Sequence, residues 1–354
     1  EISSLSAYAL IAMGRDRRAL TAAFQYMIMG TIGATFFLIG VGLTYVETGT
    51  LNMLDLNQRL QPILDHRTVH TGFAFMVVGI ALKLALFPLH LWLPNVYTYA
   101  PTVISVFLAA TATKVAVYVM LRVVFGVFSN DFVSITPADD LFLLLGVIGV
   151  ILASLAAISQ DDVKRMLAYS SVAQISYMVL GMGFASVYGL TASIVHIFNH
   201  ALMKGALFMA VGIIVYRIGS SRLKDMSGLG RQMPWTFAAI FIAGLSLIGV
   251  PGTAGFISKW YLMLAAIEQG AWAIVLVILV GSLLAVVYMW KLIETLFFEK
   301  SEQRIQLRTE APLSLLVPLW LLVLANIYFG IETEMLLKAT ATAVDLLGVA
   351  NYHD

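Results

Sequence analysis

In the stretch HIFNHALMK, His196, His200 and Lys204 recur at every fourth residue, which lays two imidazoles and an ammonium along one face of a helix. Histidine titrates near neutrality and burial weakens a lysine's hold on its proton, so the stripe has the chemistry to pass a proton in hops. Two histidines at this spacing also suit zinc, but the motif contains no Asp or Glu, so no metal is expected. Three more lysines stand in oily surroundings: Lys83 in GIALKLALFPLHLWLP, Lys114 in FLAATATKVAVY and Lys259 in GVPGTAGFISKW. A lysine at the centre of a membrane helix costs roughly 2.5–3.5 kcal/mol, so Lys83, Lys114, Lys204 and Lys259 together predict a working polar layer near the membrane midplane.

The same runs are interrupted. Pro88 lacks an amide donor and clashes with the preceding turn, which predicts a free carbonyl at Leu84, beside Lys83. Pro251, with Gly249, Gly252 and Gly255, predicts an unwound turn ahead of Lys259. Non-helical backbone at that depth is tolerated where protein or a wet cavity surrounds it, so both breaks are expected to admit water and mobile protons. Glu1 heads the first apolar stretch and is the expected carboxylate partner of Lys83, the two forming a switching pair. His90 follows the first break and is suited to capping free backbone, whereas Arg122, Lys291 and Glu294 lie near segment ends and read as interface anchors.

The elements that must position these groups are set by composition. Of 354 residues, 60% are hydrophobic and 12% charged, against about 25% charged in soluble domains, and the mean hydropathy is +0.90. The chain is therefore read as an integral membrane protein. A net charge of +1 without a basic face gives no reason to expect nucleic acid. The absence of cysteine excludes disulfides, a thiol nucleophile and cysteine-ligated zinc or iron–sulfur clusters, so no cofactor is expected and electron transfer would sit in another chain.

Apolar runs bounded by charge, Gly or Pro give ten segments: 1–13, 19–47, 70–97, 101–128, 139–160, 164–186, 188–217, 236–268, 271–298 and 312–330. The expected fold is an all-α membrane bundle. Twelve Lys and Arg, Lys164 among them, lie in or beside one set of alternate loops, against Arg59, Arg67 and Lys338 in the other, which predicts that the richer side is cytoplasmic and that the tail after 330 faces away from it. GATFFLIG at 33–40 is echoed by GALFMAVG at 205–212, and AYALIAMG at 7–14 by SYMVLGMG at 176–183. The echo predicts two halves, about 1–128 and 139–298, then an extra helix at 312–330 and a tail at 331–354. Segment 1–13 is too short to span a bilayer and opens on Glu1, so the chain reads as an internal fragment with helices missing upstream.

ALKLALFPLHLWLPNVYTYAPTVISVFLAATATKVAVY, DDVKRMLAYSSVAQISYM, HIFNHALMKGALF and GVPGTAGFISKW, in this order, resemble the antiporter-like membrane subunits shared by respiratory complex I and the Mrp-type multisubunit cation/proton antiporters. The resemblance extends over nearly the whole chain. It implies a fourteen-helix core with two inverted five-helix repeats, of which these ten segments look like the fifth to fourteenth helices. It also implies roles: Glu1 and Lys83 as the switching pair, Lys114 as the lysine that follows, His196, His200 and Lys204 as the stripe linking the halves, and Lys259 as the terminal exchanger. The wording around Lys83 and Lys114 looks most like the D-type chain of the Mrp antiporter, with the related complex I chain as the alternative. Implied partners are other membrane subunits, the bilayer, protons and, as a second candidate ion, Na+, in the inner or plasma membrane. A solute permease and a structural subunit with static ion pairs are readings of other classes.

Overall fold

A computed structural model describes residues 2–14, 16–299 and 310–349, and the described residues are helices joined by short connections. Glu1 lies outside them. The first helices are α1 (Ile2–Ala12), α2 (Arg17–Thr48), a short α3 (Met53–Leu60) and α4 (Arg67–Leu84). The side chain of Asp16 starts α2 by accepting from the amide of Arg18, and Gly49 stops it in the left-handed conformation with its amide on the Tyr45 carbonyl, as a glycine can without strain. A sharp break follows α4, and the same hydrophobic run resumes as α5 (Trp92–Tyr99).

Segment 101–128 is not one regular helix. It comprises α6 (Thr102–Phe107), a π-helical turn over Leu108–Ala112, α7 (Thr113–Leu121) and a second π-helical stretch over Arg122–Val127. After α8 (Ser129–Ile135) come α9 (Ala138–Ile158), α10 (Val163–Gly183) and the long α11 (Val187–Ile218). The second broken helix is α12 (Pro234–Ile248) with α13 (Ala254–Glu268), followed by α14 (Trp272–Phe297) and α15 (Leu313–Ile331). The region expected to be a tail contains a further helix, α16 (Glu334–Leu346), which packs on α11.

Seven helices among the described residues are long and apolar enough to cross a membrane, or eight with the bent pair that runs into α12. The difference from ten segments has a physical origin. Segment 1–13 forms only the 11-residue α1, and the second break divides 236–268 into two helices of 15 residues each, short of the ~20 a span needs, whereas in 70–97 the half-helix α4 is by itself long and apolar enough. Segment 164–186 forms α10, whose Lys164, Arg165, Ser170, Ser171, Gln174 and Ser176 dilute its hydropathy. Nearly every residue of α10 is buried, which places this helix at the centre of the bundle against α9 and α11.

Close packing at the periphery depends on small residues. A Cβ on Gly79 of α4 would lie 2.5 Å from the Gly33 carbonyl oxygen of α2, and one on Gly40 would lie 2.6 Å from the Gly72 carbonyl oxygen. The two helices thus meet backbone to backbone at two points seven residues apart on each, the arrangement that favours association where lipid and protein are equally apolar.

A buried polar axis as the candidate functional site

The first break begins earlier than Pro88 suggests. Helix α4 ends at Leu84, with Ala85 left-handed at φ 60° and its amide bonded to the Ala81 carbonyl. The carbonyl that receives a side-chain donor is that of Leu82, from the Trp92 indole at 2.9 Å, rather than that of Leu84. Lys83 consequently sits in the last turn of a half-helix, where the exposed carbonyl ends of the backbone dipoles favour a cation. Its ammonium donates to Ser4 Oγ of α1 and lies 5.8 Å from the ring of Tyr26 on α2.

Lys114 occupies the first turn of α7 and is buried. Its ammonium donates to the carbonyl of Ala109, five residues back, inside the preceding π-helical turn. The hydroxyl of Tyr97 donates to the neighbouring Leu108 carbonyl at 3.0 Å. Local widening of the helix thus supplies acceptors for a buried cation that a regular helix would keep for itself.

The stripe on α11 is buried along its length, as its spacing requires. Lys204 turns to α10, donating to the Leu167 carbonyl at 2.9 Å and to Ser170 Oγ. The His196 and His200 rings stack with centroids 5.8 Å apart and planes within 7°. Both ring nitrogens of the buried His200 lack a hydrogen-bond partner among the described residues. His196 is held at both ends, by Gln174 Oε1 on α10 at 3.0 Å and by Ser258 Oγ on α13 at 2.7 Å.

The partners of His196 make its proton consequential. With Gln174 Oε1 accepting, Nε2 carries the hydrogen, and the neutral ring must accept the Ser258 hydroxyl at Nδ1. A second proton on Nδ1 turns that bond round and frees the Ser258 hydroxyl for the Gly255 carbonyl, 3.2 Å away at the start of α13. Ser258 thereby stands between the His196 ring and the start of α13 at the second break.

At that break Gly249 and Gly252 adopt φ values of 92° and 86°, which glycine takes at little cost. Lys259, one turn into α13, folds back to the end of α12. Its ammonium donates to the Ile248 carbonyl at 2.7 Å, the Leu247 carbonyl at 3.2 Å and Ser282 Oγ of α14 at 3.0 Å, and it lies 5.1 Å from the Tyr177 ring. These carbonyls are among those a helix terminus leaves unpaired. Gly249 allows the approach: a Cβ there would lie 2.8 Å from Lys259 Cδ.

His196, His200 and Lys204 on α11 are thus tied to α10 through Gln174 and Ser170 and to α13 through Ser258, which precedes Lys259 in the chain, while α7, which carries Lys114, packs against both α10 and α11. Lys83 stands at the junction of α1, α2 and α4, and α4 packs on α7, which carries Lys114. Sequence reasoning missed Ser170, Gln174 and Ser258, the hydroxyls and amide that orient the cations. Polar residues within the apolar run 164–186 were the available signal. It also placed Lys164 among the loop charges, whereas Lys164 is buried and donates to the Ala100 carbonyl at the end of α5 at 2.9 Å. Lys291 bonds the Ile158 carbonyl at the end of α9 and the Gln160 carbonyl just beyond it, at 3.1 and 2.8 Å. His90 is buried, with its ring stacked on Phe87 at 5.2 Å.

Residues 1–285 match the family profile described as NADH:quinone oxidoreductase/Mrp antiporter, transmembrane. The chain belongs to this family. It is 41% identical over 350 residues to the N chain of the NADH-quinone oxidoreductase of Desulforudis audaxviator, covering 96% of this chain and 70% of that one. It is 30% identical over 347 residues to the D chain of the Na(+)/H(+) antiporter of Alkalihalophilus pseudofirmus, covering 98% and 69%. Among solved structures, a chain of the Mrp complex from Dietzia sp. aligns with a TM-score of 0.88 at 25% identity, over 97% of this chain and 72% of that one. A chain of respiratory complex I from Thermus thermophilus aligns at 0.75 and 28% identity, over 95% and 72%. The antiporter-like resemblance and the all-α multi-pass membrane fold are thus established. The finer expectation of an Mrp D-type chain is not favoured over a complex I chain, since the oxidoreductase relative shares more residues.

Proposed function

We propose that this chain is a proton-translocating subunit of a multisubunit complex of the NADH:quinone oxidoreductase type, in the inner or plasma membrane. The supporting observation is the run of buried cations held by neutral oxygens. Lys114, Lys204 and Lys259 donate to carbonyls and hydroxyls, and none has a carboxylate in ion-pair range among the described residues. Neutral acceptors hold an ammonium loosely enough for its proton to leave, whereas a static ion pair would fix it. In this reading Lys83, paired with Glu1, is the switch, Lys114 takes the proton inward, the stripe of His200, His196 and Lys204 carries it, and Lys259 exchanges it. Redox chemistry belongs to partner chains.

A second reading, the D-type chain of a monovalent cation/proton antiporter with Na+ as the exchanged ion, is favoured by the higher TM-score to the Mrp chain. Replacing Lys83 by Ala in the assembled complex tests the shared core of both. Coupled ion transport in membrane vesicles is expected to vanish while the complex still assembles. Normal coupled transport in that variant would sink the proposal. The driving reaction separates the branches: quinone reduction by NADH drives proton transport in the first, and an imposed Na+ gradient drives it in the second.

A further inference from the structure

Helix α15 is apolar over its whole length except for Ser314 and Asn326, and Asn326 is fully buried. A polar side chain at such a position in a membrane helix is costly unless it is used. Asn326 Oδ1 accepts from the Ser246 hydroxyl in the last turn of α12 at 2.8 Å, and Ser246 Oγ in turn accepts from the Gly255 amide in the first turn of α13 at 3.1 Å. The two bonds cross the break. One turn further along α15, Gly330 presses on the same place: a Cβ there would lie 2.5 Å from Thr253 Cα and 2.7 Å from the Ala254 nitrogen.

Asn326 and Gly330, at i and i+4, thus put one face of α15 on both sides of the loop whose carbonyls, at Leu247 and Ile248, receive Lys259. The first break is braced differently, by Trp92 from its own continuation onto the Leu82 carbonyl. We propose that α15, a helix outside both halves, clamps the α12–α13 break through Asn326 and Gly330, and that Asn326 is a positioning residue for Lys259. The exchange role of Lys259 rests on the function proposed above, but the clamp does not. Without the Asn326 oxygen, Ser246 loses the acceptor that aims its lone pair at the Gly255 amide. The end of α12 is then free to move relative to α13, carrying the Lys259 acceptors with it.

Hydrogen–deuterium exchange of the segment 249–258 in the purified complex reads the clamp directly. Asn326→Leu is expected to speed exchange there about tenfold, the scale of one buried hydrogen bond. Ser246→Ala, a smaller change with less risk to folding, should do the same, and the double variant should add nothing, because both act through one chain of bonds. Asn326→Asp, which keeps an acceptor oxygen, should remain near the parent. Unchanged exchange in Asn326→Leu, or additive effects in the double variant, overturns the clamp. For the positioning role, Asn326→Leu should lower proton transport several-fold and Asn326→Asp should restore it. Faster exchange with undiminished transport overturns that role, provided Lys259→Ala abolishes transport. If Lys259→Ala transports normally, the proposed function fails, and the exchange result still decides the clamp.

Discussion

Replacing Gly249 by Ala should cut ion translocation, and replacing Gly252 by Ala should not, although both glycines pay the same backbone cost. Both have φ near 90°, a left-handed conformation in which a Cβ costs about 1–2 kcal/mol. At Gly252 an added Cβ meets nothing within 4 Å, so the backbone term is the whole effect. At Gly249 the Cβ lies 2.8 Å from Lys259 Cδ, whereas nonbonded carbons settle at about 3.5–4.0 Å. The lysine chain is the part that yields, by roughly 0.7–1.2 Å. Its bonds to Ile248, Ser282 and Leu247 are 2.7, 3.0 and 3.2 Å long, and a shift of that size takes most of them beyond hydrogen-bonding range. The ammonium then loses the carbonyls that hold it at the end of α12. Proton transport in vesicles, normalised to assembled complex, should fall at least tenfold in Gly249→Ala and stay within about twofold of the parent in Gly252→Ala, a difference of more than about 1 kcal/mol. Thermal stability should drop in both, and further in Gly249→Ala, where the ammonium also loses its acceptors. Equal transport in the two variants would refute the claim that Gly249 serves the placement of Lys259.

Two other outcomes follow from the packing. Gly79→Ala should loosen the α2–α4 crossing and destabilise the protein by about 1–3 kcal/mol in thermal scanning, because its Cβ would meet backbone atoms that cannot move aside, whereas Gly42→Ala on α2, with open space around it, should be neutral. Lys164→Met should cost about 1–3 kcal/mol of stability by removing the short bond to the Ala100 carbonyl at the end of α5, which keeps only the 3.4 Å contact from the Ser105 hydroxyl, with the turnover of the assembled complex unchanged; a loss of transport without a loss of stability would move Lys164 into the path.

The cations of the axis were legible one by one, because an ammonium in an apolar run is expensive wherever the run packs. Lys83, Lys114, Lys204 and Lys259 announce themselves by that cost alone, and His196, His200 and Lys204 by helical spacing. Their acceptors were not legible. The carbonyls of Ala109, Leu167, Leu247 and Ile248 carry no signature in residue type, since every residue has one, and only the path of the backbone decides which are free. The start of the first break shows the same limit. Proline marks where a helix cannot continue, but α4 had already ended at Leu84, and the left-handed turn at Ala85 is decided by how α4 and α5 pack.

By itself the sequence determined that this chain lives in a bilayer, that it is helical, and that it keeps several protonatable groups where water is scarce. These follow from composition and from the pairing of backbone groups that lipid imposes on every residue. Only the tertiary structure decided that Lys259 reaches back across a broken helix, that His196 is held between α10 and α13, and that a lone asparagine from α15 stands behind the break. Those relations join residues distant in the chain through single hydrogen bonds, and such bonds depend on tenths of an ångström that no local pattern encodes.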